Sequence, residues 1–250
     1  MRALFGLLIV LIAHPARAVE VHYETYAAGL NVIDLDADID VTTDRYRVRV
    51  DYRTVGGLSL LMSSQQSTTV EGRFVSGRPV PDRFYSVGTL RGSQRVTRID
   101  YRDGQPLIRQ LVPPTETERE PVPPAQQADT IDTLSAMADL IHTIQRTGRC
   151  DGRATTFDGR RLSMLEARTA GPQTLEPTGR SSFAGMTLRC DFIGRQTAGF
   201  MLAEDRATLQ RPHTSTAWFA PLTPGGPLVP VRIAFRTRWF GDATMYLATK

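Results

Sequence analysis

The sequence predicts a mainly β fold with one central amphipathic helix, arranged as a strongly curved antiparallel sheet or open β-barrel. Three observations point there. Short segments along most of the chain alternate apolar and polar residues with period two. One convincing helical repeat stands among them, starting at Asp132. A proline-rich stretch over 113–128 divides the strands before that helix from those after it.

The N-terminus comes first in order. Met1-Arg2 opens on a basic residue, an apolar run follows from Ala3 to Ala13, and Ala16-Arg17-Ala18 supplies a small-x-small triplet. These are the parts of a secretory signal over 1–18, with cleavage expected between Ala18 and Val19. The other reading, a membrane anchor, needs about 20 apolar residues, and this run is too short. No cysteine follows the cleavage point, so a lipid anchor is not expected, and no later segment is long and apolar enough to span a bilayer. The remainder, 19–250, reads as one β-rich domain located in the periplasm or secreted.

The clearest strand signal lies over 32–41 and 45–54. Ile33, Leu35, Ala37, Ile39 and Val41 alternate with Asp34, Asp36, Asp38 and Asp40. After a short polar break, Tyr46, Val48, Val50 and Tyr52 alternate with Arg45, Arg47, Arg49, Asp51 and Arg53. Two half-buried strands joined by a tight connection make a hairpin, with Leu35 and Val48 on one face and Asp36 and Arg49 on the other. Opposite charges across the strands contribute roughly 0.2–1 kcal/mol per pair, and a one-residue slip would expose the apolar face. Gly56-Gly57 breaks the pattern before a helical turn or loop at 58–62. Further strands are expected at 67–75, 84–90, 95–101 and 105–112. The stretch 113–128, with Pro113, Pro114, Pro121, Pro123 and Pro124, lacks apolar content and is expected to be an extended or mobile linker.

The helix has a start, a stripe and a stop. Asp132 is a good N-cap; Leu134, Met137, Ala138, Ile141 and Ile144 repeat at helical spacing; Gly148 ends it. Strands are then expected at 154–158, 161–167, 182–192, 199–203, 215–220, 229–237 and 244–248. Cys150 and Cys190 are the only cysteines, and an even count in an exported protein favours a disulfide, which would pin the helix end to a strand. A pair of buried free thiols is the other reading.

Charge excludes little but directs a choice. Formal net charge is +4, and 29 of the 30 basic residues are arginine. They are spread along the chain among acids, whereas a nucleic-acid reader concentrates them on one face, so no nucleic acid is expected as partner. Phosphate-loop, nucleophile-elbow and His-Glu-x-x-His motifs are absent from the sequence. His22, His142 and His213 show no ligand spacing; no metal, cofactor or catalytic residue is nominated. A triad assembled in space stays open, since triads are recognised by geometry. The aspartate run 34–40 has Ile39 and Arg45 where a calcium loop starting at Asp34 needs Gly and Glu, so it reads as a solvated strand face. Trp218-Phe219 and Trp239-Phe240 are read first as core and second as the lining of an apolar groove.

The order of several short landmarks resembles one bacterial family. They are Tyr26 with Gly29-Leu30, Pro81 with Tyr85, Asp132-x-x-Ser135, Asp158-Gly159-Arg160-Arg161, Ala184-Gly185 with Cys190, and Trp218-Phe219-Ala220-Pro221 before Val229-Pro230-Val231-Arg232-Ile233. Together they are similar to the family catalogued as domain of unknown function 3108. That resemblance implies an exported envelope protein, and a shape related to the open β-barrels of lipoprotein-localisation factors, which hold an acyl chain on a concave apolar face. It carries no established activity, so no catalytic residue is transferred. The leading functional expectation is a non-catalytic module binding an apolar or amphipathic envelope component, a lipid or lipoprotein acyl chain, with an envelope protein as the other partner class. Leu134, Met137, Ile141, Ile144 and Trp218 are the expected groove. A hydrolase with an unrecognised site and a structural or scaffolding role are the alternatives.

Overall fold

The computed structural model describes residues 18–237 and 241–249; the signal segment up to residue 17 and the Trp239-Phe240 pair lie outside them. Thirteen antiparallel strands form one sheet: β1 Val19–Ala27, β2 Leu30–Val41, β3 Arg45–Thr54, β4 Ser64–Val75, β5 Arg78–Leu90, β6 Ser93–Arg102, β7 Gln105–Val112, β8 Gly152–Phe157, β9 Leu162–Leu175, β10 Gly185–Ala198, β11 His213–Pro221, β12 Leu228–Thr237 and β13 Gly241–Ala248. Their spatial order is β7-β6-β5-β4-β3-β2-β1-β13-β12-β11-β10-β9-β8. Consecutive strands pair with each other except β7 and β8, and β1 pairs with β13 to join the two halves of the chain. The sheet curls without closing, and β7 and β8 are its two edges.

β1 was not among the expected strands, although Val21, Tyr23, Thr25 and Ala27 alternate inward and are all buried. It is central: Tyr23 is 1% exposed and donates its hydroxyl to Pro230 O on β12 at 2.8 Å. The β2–β3 hairpin has the expected register, with Ile39 opposite Val48 and Asp38 opposite Arg49. Its charges pair differently from a simple cross-strand ladder. Arg53 reaches Asp34 at 2.8 Å across the strands, but Arg49 takes Asp51 two residues on and Arg47 takes Glu71 on β4. A central strand has acids available on both sides and along itself, so the rows of opposite charge do not dictate partners. The arginine of each pair is solvent-exposed, so each pair contributes little. The short helix α1, Gly56–Leu61, fills the β3–β4 connection.

Two expectations need correction. Residues 199–203 form no strand of the sheet; Gly199 ends β10 with φ +73° and Met201 makes an isolated bridge to Arg119. Residues 113–128 are not a free linker. A turn of 3₁₀-helix at Thr115–Thr117 and the helical turn α2, Pro124–Gln127, lead across the gap between the sheet edges. Asp129 N donates to Gly104 O beside β7, and Ile131 pairs with Thr156 of β8. Glu120 N donates to Phe200 O, and Leu202 N to Glu118 O. Val122 is the apolar anchor, buried with Phe157, Leu162 and Ala198. Proline-rich composition removes backbone donors, but the exposed edges of an open sheet supply partners for those that remain.

Helix α3, Thr133–Thr147, lies on the concave side, against β2–β5, β8 and β12. Asp132 caps it, accepting from Ser135 N at 2.8 Å, and Gly148 ends it in the left-handed region at φ +69°. Ala138, Ile141 and Ile144 are buried in the main core with Val48, Val70, Phe84 and Ile99. The stripe buries on the sheet, since among the described residues no second helix of comparable length covers it. Cys150, just past the helix, is disulfide-bonded to Cys190 of β10, with Cα atoms 6.1 Å apart, within the usual range for a bridge.

Candidate functional site

α3 divides the interior into two chambers, one apolar and one of mixed lining. The first lies between its Met137, Leu140 and Ala136 and the inner face of β8–β12, and has a volume of about 230 Å³. Phe192, Phe219, Leu165 and Ile233 form the far wall. The space exists because the facing positions carry alanine, at 136, 154, 167 and 217, so α3 and the sheet approach without filling the gap. Strand alternation aims these residues inward: Ser215, Ala217 and Phe219 of β11 line the chamber in period two. Asp139 lies among the lining residues, and burial raises its carboxyl to about 6 against the opposing effect of Arg146.

The second chamber lies between the N-terminus of α3 and the inner face of β3–β6, with a volume of about 540 Å³. Its wall is polar. Tyr52 donates to Gln66 Oε1 at 3.1 Å, Gln66 Nε2 donates to Ser86 Oγ, and the Thr68 and Ser86 hydroxyls are 2.9 Å apart. Arg95, Arg119, Arg160 and Arg161 also line it, with Asp158 among them. The Asp158-Gly159-Arg160-Arg161 landmark is the β8–β9 turn. Asp158 Oδ1 accepts from Arg160 N and Arg161 N, and Arg160 forks onto Val112 O and Pro113 O at 2.8 Å each. A Cβ on Gly159 would sit 2.8 Å from Thr97 Cγ2, so only glycine lets this turn enter the barrel.

The expected groove residues are dispersed between these chambers and the core. Met137 lines the apolar chamber and Leu134 lines the polar one. Ile141 and Ile144 point into the packed core instead. Trp218 is on the convex side: it stands opposite Arg189 and Arg232, donates its indole N–H to Gln173 at 2.9 Å, and has the Arg232 guanidinium 5.8 Å from its ring. Strand alternation gives these neighbouring aromatics opposite roles, with Phe219 inside. Sequence alternation over 215–219 carried the signal for Phe219. Nothing local marked Phe192, Leu165 and Ile233, which share a chamber only through sheet order.

His22, His142 and His213 stand apart from both chambers. His142 stacks on Phe74 with ring centroids 3.8 Å apart, and burial lowers its pKa. His213 is exposed at the start of β11, and His22 bonds Asp36 at 2.9 Å on the convex face. His22, Glu24 and Asp34 are close enough to share an ion. Asp34 is engaged by Asn31 and Arg53, and Glu24 accepts from Tyr26. Among the described residues no helix is long and apolar enough to cross a membrane.

The fold has a solved counterpart. The crystal structure of a beta-barrel-like protein of domain of unknown function DUF1849 from Brucella abortus superposes with a TM-score of 0.56 at 12% identity, covering 95% of this chain and 98% of that one. At that identity the likeness is one of fold. No curated protein matches the chain. The family model for the protein of unknown function DUF3108 matches residues 19–248, from the first strand to the last. The chain belongs to that family.

Proposed function

We propose that this protein is an exported, non-catalytic envelope protein that holds the apolar part of a lipid or acylated partner in the chamber beside α3. The carrying observation is the chamber itself: about 230 Å³ lined by Met137, Leu140, Leu165, Phe192, Phe219 and Ile233. An engineered apolar cavity of about 150 Å³ already binds benzene, and each methylene buried there contributes roughly 0.8 kcal/mol. The Cys150–Cys190 bridge supports an oxidising compartment, and the basic and apolar residues at the start of the sequence support export to the periplasm.

The test is native mass spectrometry and lipid extraction of protein purified from the periplasm, with a fluorescent fatty-acid probe. Met137→Trp, which fills the chamber from α3, is expected to abolish co-purified lipid and probe binding. Trp218→Ala, on the convex face, is expected to leave both unchanged. Lipid-free protein that ignores the probe overturns the reading, as does a Met137→Trp variant that is folded and binds normally.

A further inference from the structure

We propose that the second chamber is a binding site for a polyol phosphate: a phosphate monoester gripped by the arginines at its mouth, with its hydroxyl-bearing part against the polar wall. The charge balance comes first. Four guanidinium groups, of Arg95, Arg119, Arg160 and Arg161, meet two carboxylates, Asp158 and Glu118. Arg95 holds Glu118 with a 2.6 Å bond, and Arg161 holds Asp158 at 2.7 Å. Among the described residues Arg119 and Arg160 hydrogen-bond only main-chain oxygens: Gly199 O at 3.0 Å, and Val112 O and Pro113 O. Two positive charges therefore face the chamber with no carboxylate of their own. Arg160 is 9% exposed, so water screens it poorly, and burying an uncompensated charge is costly. Burial, and then the neighbouring guanidiniums, hold both Arg119 and Arg160 below the usual arginine range. In addition, the buried Nε of Arg95 has no hydrogen-bond partner among the described residues.

A phosphate monoester carries about two negative charges near neutral pH and offers oxygens to the forked donors of arginine. It matches both the excess charge and the unused donor. The wall opposite argues for what the phosphate is attached to. Tyr52, Gln66, Thr68 and Ser86 place a row of hydroxyl and amide groups on the concave side of the sheet, beside Phe84 and Leu90, whereas the inner-face polar groups of the other chamber are few. These groups bond to one another and keep lone pairs and rotatable hydroxyls for a further partner, and a sugar or glycerol supplies hydroxyls that both donate and accept. The site stands independently of the apolar chamber, because the two sit on different strands and α3 lies between them.

Isothermal titration with glycerol 3-phosphate, inorganic phosphate and glycerol, together with sedimentation on vesicles containing phosphatidic acid, tests this. Glycerol 3-phosphate is expected to bind more tightly than inorganic phosphate, with glycerol alone not binding. Arg119→Gln is expected to weaken it at least tenfold, and Arg161→Gln, at a half-exposed position, serves as a second variant should the first fail to fold. Binding of the soluble ester without vesicle binding assigns a free polyol phosphate; arginine-dependent binding of both assigns a lipid headgroup. Met137→Trp is expected to leave these affinities unchanged, which separates this site from the apolar one. No binding of either phosphate, or binding indifferent to both arginine variants, overturns the proposal. Equal affinity for inorganic phosphate and its glycerol ester overturns the polyol part.

Discussion

Replacing Cys150 and Cys190 together by alanine removes a cross-link between residues 40 apart. In the chain-entropy model a closed loop of that length stabilises the fold by about 4 kcal/mol at 25 °C. The bridge ties the end of α3 to β10, yet it is not the sole tie. Cys150 N donates to Thr169 Oγ1 at 2.9 Å, and Asp151 accepts from Thr169 N at 3.1 Å and from its hydroxyl at 2.9 Å. The helix end should therefore stay docked on β9, and the far-ultraviolet circular dichroism should be unchanged. The loss should appear in urea unfolding. With a slope of about 3 kcal/mol/M for a chain this long, the midpoint falls by about 1.3 M. Comparing oxidised with reduced wild type separates the cross-link from the packing of the two sulfurs, since reduction keeps both atoms. A loss below about 1 kcal/mol in both comparisons refutes the reasoning, because the bridge would then constrain an unfolded chain that is already compact.

Three further predictions concern the interior. Burial raises the Asp132 carboxyl to about 6 from the usual 3.9. A raised folded value favours the protonated fold, so its contribution is full below about pH 4 and is lost as pH rises toward 6. Asp132→Asn, which keeps an acceptor for Ser135 N, should flatten that part of the stability–pH curve measured by urea titration. Gly199→Ala places a Cβ 1.9 Å from Arg160 O, whereas Gly29→Ala, at a similar positive φ, meets nothing within 4 Å. Thermal melts should show the second losing about 1–2 kcal/mol and the first several times more. Tyr46→Phe removes a buried 2.9 Å bond to Ser135 Oγ and should cost about 0.5–1.5 kcal/mol in the same assay.

Local pattern made some elements legible and hid others, for identifiable reasons. The β2–β3 hairpin and α3 announce themselves because each signal is complete within its own segment: strict alternation in one, and a cap, stripe and stop in the other. β1 alternates as well, but it depends on β13 at the other end of the chain, and no short-range pattern shows that pairing. β9 and β10 run further than their apolar residues suggest. β9 continues through Gly171 and Pro172 past an irregular register at Arg189/Cys190, and in β10 Gly194 pairs in register with Leu165. The stretch 113–128 was hidden by its composition. Whether a proline-rich segment packs depends on whether an open edge lies beside it, and that is a property of the whole sheet.

The candidate sites fall on the far side of the same divide. A single apolar stripe on α3 says that the helix is buried, but not that its surroundings differ on its two flanks. Turning around the helix, Ala138, Ile141 and Ile144 meet a packed core, Met137 and Leu140 meet a void walled by alanines, and Leu134 with Thr133 meets a polar chamber. All of these except Thr133 are ordinary helix-stripe residues, so their different fates come from what β3–β6 and β8–β12 present to them. The arginines are the sharper case. At positions 95, 119, 160 and 161 they lie on a strand, a seam segment and a turn, and dispersed placement argued against a nucleic-acid partner. Curling the sheet brings them to one mouth with two carboxylates between them. Even spacing along a chain is thus no guide to even spacing in a barrel, because opposite edges of the sheet meet where the barrel nearly closes. The excess of arginine over acid at that mouth is where the ligand test has most to decide.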